Sequence, residues 1–150
     1  MQSETAFSPE LAQQAINLVM PTITNMMKSH MVRHGHLHIT VGWTPPANPH
    51  TNVVPIAERS LGDVSTWEMD YKAIAEGKRT MVARERISSR EVVDQGKSLE
   101  GEPPWPGGVI VEDAIVTISG LESEFDELFS YMIAHAIVAL RHNEERKAAA

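Results

Sequence analysis

Apolar residues recur along this chain with two periods, and the switches between them mark its elements. Ser8-Pro9-Glu10 opens the first element: a capping hydroxyl, a proline where a helix needs no N–H donor, and an acid near the positive end of the helix dipole. Leu11, Ala15, Leu18 and Val19 follow at helical spacing. Pro21 removes one ladder hydrogen bond and is expected to kink or split this helix; Ile23, Met26 and Met27 continue the apolar set to Lys28. The period then changes to two. Leu37, Ile39, Val41 and Trp43 alternate with His36, His38, Thr40 and Gly42, which predicts a strand with one buried face. TPPANPHTN, with its three prolines, reads as a loop or a wide hairpin connection. VVPIAE reads as a second strand, with Pro55 suited to an edge.

Ser65 with Glu68 has the spacing of a capping box for a second helix, which would place Trp67, Tyr71, Ile74, Ala75, Lys78 and Val82 on one face. Gly77 weakens that helix. ISSREVV is a turn into a short element of undetermined type, and the polar stretch from Asp94 to Pro106 is a loop. VIVEDAIVTIS is strongly β, with Glu112-Asp113 as a tight turn dividing it into two strands. Ser119 and Glu122 form a further capping box. Leu121, Phe125, Leu128, Phe129, Met132, Ile133, Ile137 and Leu140 then trace the broad apolar stripe of a core-facing helix, and the terminal EERKAAA is expected to fray. The order is helix, two strands, helix, two or three strands, helix. That order predicts the α+β class, with an antiparallel sheet.

A chain of 150 residues is expected to form one domain, 1–150, large enough to bury a core without staples. The absence of cysteine excludes disulfides and thiolate metal sites. A net charge of −7 argues against a nucleic-acid partner. No apolar run is long enough for a bilayer, and MQSETAFSPE lacks the pattern of a secretory signal, so no membrane partner and a cytoplasmic location are expected. Charge is uneven along the chain. From Lys78 to Arg90, Lys78, Arg79, Arg84, Arg86 and Arg90 face only Glu85, which makes either a patch for a small anion or a solvated helix edge.

The candidate chemistry is sparse. His34, His36 and His38 alternate, so a strand would set them on one face about 6.6 Å apart. A His36-x-His38 pair can hold a metal, or offer one imidazole to haem iron, or simply form the polar face of a half-exposed strand; the same imidazoles are candidates for a general base. His30 and Met31 lie nearby at a helix end. Lys78 with Ser88 and Ser89 can bind a carboxylate by charge and hydroxyl donors, or serve as a helix-end cation followed by a turn. Gly107-Gly108 permits close backbone approach to a ligand, or marks the start of a strand. Ser119-Gly120 opens a helix whose N–H groups attract an anion, or is a cap alone. His135 borders the last apolar stripe, and Trp43, Trp67 and Trp105 are core or interface anchors.

Three segments carry a family resemblance: KRTMVARERISS (Lys78, Val82, Ser88, Ser89), PGG (Pro106, Gly107, Gly108) and TISGLESEFDE (Ser119, Gly120, Leu121, Asp126, Glu127). In that order they resemble the GlcG/HbpS group, the haem-degrading domain family, over roughly the second half of the chain. The resemblance implies a profilin-like fold, a central antiparallel sheet with N-terminal, middle and C-terminal helices packed on it. It also implies a homo-oligomer and, for some members, bound haem. The chain departs from the pattern in a shorter hairpin between Gly-Gly and Ser-Gly and in the Pro-rich loop at 44–52. Three functions follow as expectations: a protein binding haem or a small carboxylated molecule, an enzyme acting on a small organic acid with a histidine base, and a non-catalytic scaffold subunit.

Overall fold

The structure, a computed structural model, describes residues 8–44 and 53–150. Residues 45–52 of the Pro-rich loop expected at 44–52, and the segment before Ser8, lie outside the described residues. The elements are α1 (Pro9–Lys28), β1 (Leu37–Trp43), β2 (Val54–Leu61), α2 (Tyr71–Glu85), α3 (Ser89–Asp94), β3 (Gly108–Val111), β4 (Ala114–Ser119) and α4 (Ser123–Ala149). The four strands form one antiparallel sheet in the order β2-β1-β4-β3. This is the α+β arrangement that the order of elements predicts, with helices packed on the sheet.

Alternation in the strands decides which helices cover which face. Leu37, Ile39 and Val41 of β1 and Ala114, Val116 and Ile118 of β4 share a core with Ile16 and Ile23 of α1 and Phe129, Ile133 and Ile137 of α4. The opposite face of β4 presents Ile115 to Val82 and Ala83 of α2. Here the structure corrects the expectation of a half-exposed β1: the strand is buried on both faces. Its polar face survives under α2 because the Thr40 and Thr117 hydroxyls pair at 2.6 Å and Thr117 donates to the Ala75 carbonyl at 2.8 Å. A period-two pattern records polarity, not what lies above it.

Several local expectations change. α1 runs unbroken through Pro21, which sits on its exposed side, while Thr24 donates its hydroxyl to the Met20 carbonyl. α2 starts six residues after Ser65: Ser65 lies in a 3-10 turn capped by Asp63, and Asp70 caps α2 by accepting from Ala73 N–H. Trp67 is therefore outside the helix. The untyped ISSREVV segment is α3, with a Ser88–Glu91 capping box. Glu112-Asp113 does form the tight hairpin turn, Glu112 adopting φ +54°. Ser119 is the last residue of β4 rather than a cap; α4 starts behind Glu122, whose side chain makes no cap hydrogen bond. α4 also stays helical to Ala149, through the tail expected to fray. Pro55 occupies the edge strand β2 beside a register shift opposite Gly42, as its missing N–H requires.

The turn from β4 into α4 is a tight corner. Gly120 has φ +134°, and a Cβ there would sit 2.3 Å from the His36 carbonyl oxygen. Gly120→Ala is expected to destabilise the fold by about 3 kcal/mol or more. Gly96→Ala, at φ +71° with nothing within 4 Å of its Cβ, should cost only about 1–2 kcal/mol. Chemical denaturation of both variants checks this; equal losses would mean that crowding at the corner is unimportant.

Candidate functional site

Lys78 occupies the inward stripe of α2 with Tyr71, Ala75 and Val82, and it is only 1% exposed. A lysine there needs room for its stem and partners for its amine. The stem runs over Gly108, where a Cβ would approach Lys78 Cβ to 3.2 Å. The amine passes Gly107, whose φ is +132° and where a Cβ would lie 2.6 Å from Nζ. The glycine pair is thus the space through which Lys78 reaches the end of β4. There Nζ donates to the Ile118 carbonyl at 2.8 Å and lies 3.7 Å from Asp126 Oδ2 on α4. Asp126 is itself buried, and its other oxygen accepts from Leu121 N–H at 3.1 Å. Ser130 fixes the glycine peptide by donating to the Gly107 carbonyl at 2.8 Å.

This pair lines a cleft of about 210 Å³ between α2 and the β4–α4 corner. Ser119, Gly120 and Leu121 line it too, Tyr71, Ile74 and Met69 supply apolar wall, and Trp105, 40% exposed, is beside them. Arg33 and Glu122 contribute opposite charges; Arg33 Nη2 donates to the Gly120 carbonyl at 3.2 Å, and its backbone N–H donates to Glu122 at 3.3 Å. Burial pulls the Lys78 amine down to about 8, opposed by the Asp126 charge. Burial likewise pushes Asp126 up to about 7, opposed by Lys78 and the backbone N–H groups. The two titrate as one unit. Convergent polar groups with shifted titration, in a cleft with apolar walls, are the physical marks of a small-molecule site.

The other sequence candidates are placed elsewhere. Ser88 caps α3, and Ser89 Oγ accepts from Gly108 N–H at 3.0 Å and donates to the Trp105 carbonyl at 3.1 Å. Both serines hold the loop against the sheet, and only Lys78 of that trio lines the cleft. Lys78 is also not a helix-end cation but lies in mid-helix. Three arginines of the basic run pair with acids distant in sequence: Arg84 with Glu102 at 2.6 Å, Arg86 with Asp113 at 2.8 Å and Arg90 with Glu127 at 3.0 Å. The Ser119-Gly120 corner lines the cleft, but Asp126 already accepts from the Leu121 N–H that an anion would use.

The histidines form a separate group. His38 alone lies within β1; its Nδ1 is 2.7 Å from Ser60 Oγ and its Nε2 3.0 Å from Glu58 Oε1, and burial lowers its pKa against the pull of Glu58. His34 meets the Tyr71 hydroxyl at 3.2 Å and the His36 ring at 5.0 Å, and His36 Nδ1 is enclosed beside Gly62. His135 is exposed and stacks on Tyr131. Among the described residues no histidine lines the cleft, and no three His, Asp or Glu side chains are placed to share a metal ion. Haem does not fit this cleft: at about 210 Å³ it falls below the ~300–1,000 Å³ of pockets for drug-sized ligands, and no described imidazole faces it.

Asp126 and Arg33 were not legible as site residues. In the sequence Asp126 stands out only as one acid of the TISGLESEFDE motif, and nothing marks Arg33. One signal did exist: a lysine at the spacing of an apolar helix stripe must find a buried partner.

No family model matches the chain, and no curated protein matches it. Among solved structures it is similar to Klebsiella pneumoniae protein ORFY, described as of family DUF336, with a TM-score of 0.61 and 18% identity over 88% of this chain and 90% of that one. It is also similar to the Ybr137w protein, with a TM-score of 0.57 and 18% identity over 86% of this chain and 79% of that one. The chain shares the fold of these proteins.

The shifted titrations make stability depend on pH in a defined way. The folded state holds the Asp126 proton from its ordinary value of 3.8 up to about 7, so the pair's contribution falls as pH rises across that window. The folded state releases the Lys78 proton near 8 while the unfolded chain keeps it to 10.5, so the contribution rises again across that window. Unfolding free energies measured at about pH 5, 7.5 and 9.5 should pass through a minimum near 7.5, relative to a Lys78→Met/Asp126→Leu double variant. A difference that is flat or peaks there would refute the burial account.

Proposed function

We propose that this protein belongs to the GlcG/HbpS-like group and binds a compact carboxylated molecule in the Lys78–Asp126 cleft. The observation that carries the reading is the buried amine–carboxyl pair in a cleft that also joins apolar wall from Met69, Ile74 and Leu121 to the charged Arg33. A buried ion pair adds little net stability for its desolvation cost, so its position in a cleft argues for chemistry. Arg33, always charged, takes the ligand carboxylate, and Lys78 with Asp126 faces the other polar end. The order of sequence motifs and the fold shared with a DUF336 protein, a GlcG-like family, support the kinship. The protein acts as a homo-oligomer, with exposed Trp105 and Met69 beside the cleft as the place where a second subunit would cover it.

Pyruvate, acetate and citrate at constant ionic strength test the binding. At least one should raise the melting temperature, by the equivalent of about 2.7 kcal/mol at a hundredfold excess over Kd. Arg33→Ala should weaken that binding about tenfold. A melting point indifferent to all three, or an unchanged response in Arg33→Ala, would refute the site. Haemin should give no Soret shift that depends on His36 or His38; a shift abolished by the double alanine variant would restore a haem site at the histidines.

A further inference from the structure

We propose that Lys78 is a nucleophilic amine that condenses with the carbonyl of a short 2-oxo acid, an inference that rests on the cleft being the binding site. The geometry supplies each requirement of imine formation. The amine is withdrawn from bulk water beside apolar Ile74 and Leu121, where burial eases release of the ammonium proton and so supplies more of the neutral amine, with its free electron pair, than an exposed lysine does. One of its N–H bonds is committed to the Ile118 carbonyl at 2.8 Å, which fixes the direction of the nitrogen. A carboxyl group lies 3.7 Å away, kept protonated on the acid side of neutrality by burial, and so serves as acid and then as base. Arg33 lines the same cleft and is the partner for a carboxylate adjoining the carbonyl.

The step balances without an oxidant or metal. The amine electron pair forms the new C–N bond while the carbonyl π pair moves to oxygen, which takes the Asp126 proton. The nitrogen returns a proton to the Asp126 carboxylate, giving a neutral carbinolamine. Asp126 then protonates the departing hydroxyl, the C–O bond breaks, and loss of the remaining nitrogen proton to Asp126 leaves an imine and one water. Nothing is oxidised or reduced.

The test is reductive trapping of the full-length protein with pyruvate and cyanoborohydride, read by peptide mass spectrometry. Lys78 should carry the carboxyethyl adduct at least about tenfold faster than exposed Lys72. Asp126→Asn should slow labelling of Lys78 about a hundredfold while leaving Lys72 unchanged, and Lys78 labelling should rise with pH toward about 8. Adducts confined to exposed lysines, or Lys78 labelling indifferent to Asp126→Asn, would overturn the proposal. Acetate binding read by melting temperature separates the two ideas. Binding without a Lys78 adduct sinks the imine and leaves the cleft as a binding site; neither binding nor adduct sinks both.

Discussion

One desolvated ammonium sets the terms on which three elements meet. Lys78 leaves α2 with its charge inside the protein, and the Ile118 carbonyl of β4 and the Asp126 carboxyl of α4 have to converge on it. Removing either partner would strand a charge in an apolar setting, so the three elements are tied in one relative position. The glycine pair is the steric counterpart of the same constraint. Any side chain at Gly107 would occupy the place of the amine, and Ser130 and Ser89 hold that peptide and its neighbour in place.

The polar residues of the sheet face under α2 follow one rule. Each is answered by another polar group of the protein: Thr40 by Thr117, Thr117 by the Ala75 carbonyl, His38 by Ser60 and Glu58. The Lys78–Asp126 pair differs in where it lies. There a coupled acid and base border a cleft that Arg33 and Glu122 also line, so charged groups meet at its wall rather than under a helix. Polar groups that converge on a cleft with apolar walls are what orients a small polar ligand.

The ion pairs along the former basic run serve a different end. Glu102 ties the long loop to α2 through Arg84, Asp113 ties the hairpin turn through Arg86, and Glu127 ties α4 to α3 through Arg90. The Arg84–Glu102 pair helps to hold the Trp105 loop across Gly77, where a Cβ would meet the Pro103 ring at 2.9 Å. A glycine that only weakens α2 by propensity is, in the folded protein, the seat of that loop.

By itself the sequence determined the three long helices, the strands, the antiparallel character of the sheet and which face of each element carries the apolar positions, because periods of two and 3.6 are properties of local geometry. It also marked Lys78, Gly107-Gly108 and Ser119-Gly120 as unusual. Tertiary structure alone decided what those residues do. Whether Thr40 is wet or covered and whether Arg84 is free or paired depend on partners 77 and 18 positions away. Whether Asp126 caps a helix or faces an amine depends in the same way on Lys78, which α2 brings to it from a distant part of the chain. Ser8 caps α1 as its local pattern requires, but two other caps failed for a related reason: Ser65–Glu68 and Ser119–Glu122 have the right spacing, but the chain bends elsewhere, at Asp70 and behind Glu122, where packing against the sheet fixes the helix start. Local pattern sets which groups seek burial, and only the assembled fold sets which charges share it.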